Sequence, residues 1–96
     1  MIRIVAKQTV KTDKIEEFKT SAAELVKKTK ELDEGCISYD LYQDITNPCI
    51  LTIIEEWESK EALDKHLKAT HFTQIVPALR ELTLEDAELN IYQKIS

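Results

Sequence analysis

His66 and His71 are the only imidazoles in this chain. An imidazole titrates near pH 6.5, which suits it to proton transfer at neutral pH. His66 stands three residues after Leu63 and beside Leu67, so its ring lies near an apolar helix face. There it either takes a proton from the hydroxyl of a bound molecule or bonds to backbone as a half-buried side chain. His71 either lines the mouth of the same cavity or ties a helix start to its neighbour. The two are five residues apart, which does not place both on one helical face. No further ligands stand in evident register, so no metal site is expected.

Four more side chains are candidates for substrate binding. Trp57 can stack on a flat aromatic molecule, or serve as core or dimer contact. Glu55 lies two residues earlier, on the same face of a strand. A carboxylate beside an indole on a buried strand needs a partner: a histidine, Arg80, Arg3 or a group across a subunit boundary. Tyr39 and Tyr42 fall on opposite faces of a strand, so one can offer a phenol to a pocket while the other is core. Asn90 either bonds a substrate oxygen or faces solvent.

The elements that must position these groups follow from periodicity. Residues 2–10 alternate apolar Ile2, Ile4, Ala6 and Val10 with Arg3, Lys7 and Thr9, the period of a strand, with Gln8 breaking the apolar side. Asp13 and Glu16 form a helix-start signature. Ile15, Phe18, Ala22, Leu25, Thr29 and Leu32 then make one stripe of an amphipathic helix over about 14–33. Gly35, the only glycine, suits the left-handed residue that closes it. Two strands at 36–43 and 50–58 flank a loop, 44–48, of Asp, Asn and Pro turn chemistry. Ser59 is expected to cap one short helix and Thr70 another, the second kinked or interrupted at Pro77. A last strand is expected over about 86–95. The order β-α-β-β-α-(α)-β predicts a single α+β domain over 1–96, with the ferredoxin-like split arrangement and helices on one face of a four-stranded sheet. Residues 50–54 are apolar on both faces, as in a strand covered from both sides. A second subunit is the expected cover for the bare face.

Composition removes several functions. Net charge is −5, opposite to the basic excess that phosphate binding needs, so neither nucleic acid nor an anionic membrane surface is an expected partner. No apolar run reaches the roughly 20 residues of a transmembrane helix. Arg3 and Lys7 interrupt any signal-peptide core, which points to the cytoplasm. Cys36 and Cys49 fall near opposite ends of one hairpin, roughly 20 Å apart at about 3.3 Å per residue. That is too far for a disulfide, and two buried thiols are expected. Nucleotide-binding glycine loops, a nucleophile elbow and a C-x-x-C pair are all absent, so no cofactor is expected.

Glu34-Gly35-Cys36-Ile37-Ser38-Tyr39 resembles the E-x-G-C-x-x-Y-like block of the antibiotic biosynthesis monooxygenase family. The run Glu55-Glu56-Trp57 through Ala62-Leu63-Asp64-Lys65-His66-Leu67, then Thr70-His71-Phe72, resembles that family's E-x-W, A-L-x-x-H-L and H-F blocks in register. The resemblance covers nearly the whole chain. It implies a dimeric α+β barrel with a pocket in each subunit between sheet and helices. It also implies a cofactor-independent monooxygenase that oxidises a quinol-like or phenolic molecule with O2. A related class isomerises a phosphorylated dicarbonyl, and another branch degrades haem. The haem branch places an Asn where Lys7 stands and a Trp where His66 stands, so haem degradation is not expected here. Within the monooxygenase reading His66 is the expected base. The isomerase reading calls for a cluster of cations in the pocket, for which Arg3, Lys7 and Arg80 are the loose candidates. A third reading, a dimeric binding module without catalysis, predicts a pocket into which no histidine points.

Overall fold

The computed structural model describes residues 1–96. The elements run β1 (Ile2–Thr9), α1 (Ile15–Leu32), β2 (Cys36–Gln43), β3 (Ile50–Trp57), α2 (Lys60–Lys68), α3 (Thr70–Arg80) and β4 (Glu88–Gln93). All strand pairs are antiparallel, in the order β2-β3-β1-β4. This is the expected α+β, ferredoxin-like arrangement. The central pair, β1 and β3, is in register from Ile2 opposite Trp57 to Thr9 opposite Ile50.

Side-chain alternation turns Ile4, Leu51, Ile53 and Trp57 toward the helices, where they are buried with Phe18, Ala22 and Leu25 of α1. Burying each large apolar side chain stabilises by about 1.5–3 kcal/mol. The α1 stripe is therefore what clamps the sheet. Its last expected member, Leu32, is 65% exposed, because the helix ends there and the chain turns away at Asp33.

Several local expectations are corrected. Asp13 caps nothing: Thr12–Lys14 form a short 3-10 turn that feeds α1 without a side-chain cap. Thr70 is the first helical residue of α3, Ala69 stands at the cap position, and no side chain caps that start. α3 also runs through Pro77 without interruption, with the ring's missing N–H in the last turns of a short helix. Ser59 does cap α2, its Oγ accepting from the Ala62 N–H at 3.2 Å. Asp44 Oδ1 closes the β2–β3 loop by accepting from the N–H groups of Thr46 and Asn47. The two thiols are free, as expected, but half-buried rather than buried.

Gly35 carries φ +79°, and a Cβ there would lie 2.6 Å from the Ala62 Cβ. Both the turn and the close passage of α2 require glycine at this point. Its carbonyl accepts from the Glu58 N–H at 2.8 Å, which ties the exit of α1 to the end of β3.

On the other face of the sheet lie Val5, Ile50, Ile54, Tyr42 and Tyr92, with Arg3 paired to Glu56 at 2.9 Å. None of the three helices covers this face. No helix is long and apolar enough to cross a membrane.

Candidate functional site

A cavity of about 450 Å3 lies between the helix-facing side of the sheet and the helices. Its floor is Ile4, Ala6, Ile53, Leu89 and Ile91, and its walls include Leu25, Leu63, Phe72 and Val76. Most of the lining is apolar. The polar exceptions are Gln8, Tyr39 and Glu55 inside, and Arg80, Thr83 and Asp86 around the rim.

Glu55 is the exception with the largest energetic consequence. It is 6% exposed, and its Oε1 accepts one hydrogen bond, 2.8 Å from Trp57 Nε1–H. No cation pairs with it. Arg3, a sequence candidate for that role, pairs with Glu56 on the opposite face. Burial disfavours the charged form, so the Glu55 carboxyl is pushed up to about 7, with the indole bond pulling weakly the other way. Tyr39 also lines the cavity, and burial pushes its phenol well above the ordinary value.

Trp57 is fully buried behind this carboxylate and does not line the cavity. It is held by His66, whose ring lies 4.6 Å from the indole at 35°, with Tyr39 and Phe72 edge-on to the imidazole at 5.2 and 5.0 Å. His66 Nδ1 lies 2.6 Å from Asp33 Oδ2, and His71 Nε2 lies 2.9 Å from the same oxygen. One carboxylate thus accepts from two rings on two helices. The five-residue gap that keeps the histidines off one helical face is resolved by the break between α2 and α3, which turns them toward a common point. Asp33 was not visible as a partner in the sequence, since it lies 33 and 38 residues away from them.

His66 is 1% exposed, and burial holds its pKa below the ordinary value against the pull of Asp33. Its Nε2 is enclosed with no partner. The ligand-type atoms of Asp33, His66 and His71 lie within 4.8 Å of one another. Those are the only three residues placed to hold a metal. The short Nδ1 and Nε2 contacts to Oδ2 are what two N–H donors on a carboxylate produce, so the geometry is accounted for by hydrogen bonding alone.

Of the candidates read from the sequence, Tyr39 and Glu55 line the cavity, and Trp57, His66 and His71 form a buried support behind it. Asn90 is exposed on the far face of β4, opposite Val5. Neither histidine lines the cavity.

A four-stranded antiparallel sheet, helices on one face and an apolar cavity between them define a ferredoxin-like α+β domain. Residues 1–78 match the family model for antibiotic biosynthesis monooxygenase, and the chain belongs to that family. It is 32% identical over 82 residues to the "Putative monooxygenase YcnE" of Bacillus subtilis, covering 85% of each. It is 33% identical over 84 residues to an uncharacterised Synechocystis protein, covering 88% of this chain but only 56% of that one. Among solved structures, a conserved protein from Methanosarcina mazei matches at TM-score 0.94 with 44% identity, covering 98% of this chain and 92% of that one. An antibiotic biosynthesis monooxygenase matches at TM-score 0.93 with 30% identity over the whole of both chains.

The raised Glu55 pKa has a stability consequence with a definite sign. The folded state holds this proton more tightly than the unfolded chain, where the value is the ordinary 4.5. Stability from this group is therefore present below pH 4.5 and is lost as pH rises through about 7. The gap corresponds to about 3 kcal/mol. E55Q keeps the acceptor for Trp57 and removes the charge. Urea denaturation is expected to find it more stable than wild type by up to about 3 kcal/mol at pH 8, and equal to it at pH 4.5. Equal stability at both pH values would show that the carboxylate is not desolvated.

Proposed function

We propose that this protein is a cofactor-independent monooxygenase that oxidises a quinol-like or phenolic small molecule with O2, using Glu55 as the base and working as a homodimer. The observation that carries this reading is the single carboxylate, pushed up to about 7, inside an apolar cavity. A phenol titrates near 10. Against an ordinary carboxylate the proton transfer is uphill by roughly 5.5 pK units, and against this one by roughly 3. The apolar walls offer a flat ring a place to sit, and Tyr39 adds a phenol to the same lining.

The reaction needs no further reductant. Glu55 takes the hydroxyl proton, and the electron-rich anion passes one electron to O2. The resulting radical pair joins at a ring carbon and takes the proton back to form a hydroperoxide. Loss of water leaves a carbonyl. For a para-quinol the balance is quinol plus O2 to hydroxyquinone plus water: the substrate loses four electrons, one oxygen atom enters the ring and the other leaves as water.

In this reading His66 and His71 are positioning residues. Their bonds to Asp33 hold the His66 ring against Trp57, and Trp57 holds Glu55. A binding module without catalysis predicts a cavity into which no histidine points, and that condition is met. It offers no reason, however, to keep an unpaired carboxylate in an apolar cavity. The isomerase reading calls for several cations, and the lining supplies Arg80 alone.

Dimer formation is supported by the uncovered sheet face, where Val5 and Ile54 sit directly opposite one another at the centre. Sedimentation at micromolar concentration is expected to show a species of twice the 11.1 kDa chain mass. A stable monomer there removes the dimer from the account.

Oxygen uptake over a panel of hydroquinones tests the chemistry. Wild-type kcat is expected to rise with pH to a plateau above about 7, because the base must be ionised. E55Q is expected to lose roughly 100-fold or more in kcat. Wild-type turnover in E55Q, or no uptake with any quinol, would contradict the assignment.

A further inference from the structure

The cavity has a second polar end. β1 forms its floor from Ile4 through Ala6 to Gln8. Ile4 stands opposite Glu55, and Gln8 stands opposite Leu51. Four residues of strand separate the two ends by roughly 13 Å. Gln8 is the residue that breaks the apolar side of β1 in the sequence. It points to the helix face, is 9% exposed and lines the cavity, and none of the protein's side-chain hydrogen bonds involves it. Its amide atoms are not among the enclosed side-chain atoms that lack a partner, so they stay accessible from the cavity, with their bonding capacity free for an occupant. Arg80 lines the rim, at the end of α3. The neighbouring Thr83 is bridged to Val10, two residues beyond Gln8 on the same chain. Arg80 forms no ion pair, although Asp86 lines the same rim. Arginine has only donors, and the Gln8 amide adds two donors beside its own acceptor oxygen, so donors are the kind of group the two side chains share. An oxygen acceptor is therefore the complementary group.

We propose that Gln8 and Arg80 form a subsite for a carbonyl or carboxylate oxygen, so that the ligand class is an elongated hydroxyaryl molecule with an oxygen acceptor roughly 10 Å from its hydroxyl. The orientation, with the hydroxyl at Glu55, rests on the proposed function. The existence of the acceptor subsite rests on Gln8 and Arg80 alone.

Trp57 is the only tryptophan and bonds to Glu55, so its fluorescence reports occupancy of the cavity. Titrations with 4-hydroxyphenyl alkanoic acids, the corresponding methyl ketones and plain 4-alkylphenols of matched length test the subsite. An apolar cavity with no acceptor subsite prefers the alkylphenols, because a carboxylate is hard to desolvate. The subsite reverses this order. Acid or ketone is expected to bind wild type roughly 10-fold more tightly than the alkylphenol, as charge-assisted and neutral hydrogen bonds allow, with an optimum at one chain length. Q8L and R80M should each abolish most of the preference. R80M alters an exposed side chain, so it remains informative if Q8L folds poorly. E55Q should keep the preference. Equal affinities across the panel, or a preference that survives in R80M and in folded Q8L, overturns the subsite. A preference retained in E55Q while that variant oxidises quinols at the wild-type rate removes the base and leaves the subsite standing. Calorimetry finding no binding of any of these ligands at millimolar concentration overturns both.

Discussion

The constraint on which the site depends is the desolvation of one carboxylate. Glu55 occupies a strand position whose neighbours on the same face, Leu51, Ile53 and Trp57, are all core. An apolar residue there would be the more stable choice, because a buried acid without a cation resists ionisation. The protein instead gives the carboxylate one neutral donor, the Trp57 indole, at 2.8 Å. A neutral donor orients the group without neutralising it. A guanidinium in the same place would drive the pKa down and produce a weak base. That difference separates a structural ion pair from a group matched to proton transfer near neutral pH.

Holding the indole in turn recruits the rest of the support. The His66 ring lies against Trp57, and Asp33 fixes the His66 ring and the His71 ring through one oxygen. Asp33 directly follows α1, His66 lies on α2 and His71 on α3. One carboxylate therefore connects all three helices on the side of the sheet where Glu55 lies. Gly35 lets the chain leave that junction through a left-handed turn while α2 passes close by. The sequence blocks that resemble the family's, E-G-C, E-x-W and A-L-x-x-H-L, are the parts of the chain that build this support. This explains how they can mark the fold and lineage without naming a substrate.

Much of this was legible in the sequence because it is local. Period-two alternation placed β1, a run apolar on both faces placed β3, the three-four spacing placed α1, and the turn chemistry of Asp44 to Pro48 placed the hairpin. The identical strand face of Glu55 and Trp57 was legible for the same reason. Other features depend on three-dimensional convergence. Asp33 reads as an ordinary polar residue near a helix end, and only the meeting of α2 and α3 makes it the partner of both imidazoles. The sequence pointed to His66 as the base because it is the family's conspicuous imidazole, but burial depth is not encoded in a short motif. The expected caps at Asp13 and Thr70 failed because a 3-10 turn and a tight inter-helix junction supplied the entries by backbone geometry. Gln8 looked like a flaw in a strand pattern, and the cavity below it shows where that amide is directed.

The most direct measurement is the titration of the Glu55 side chain itself, followed by carbon NMR of the glutamate carboxyl resonances with E55Q providing the assignment. The account predicts a midpoint of about 7 that moves when a ligand fills the cavity. A midpoint near the ordinary 4.5, unchanged by ligand, would contradict it.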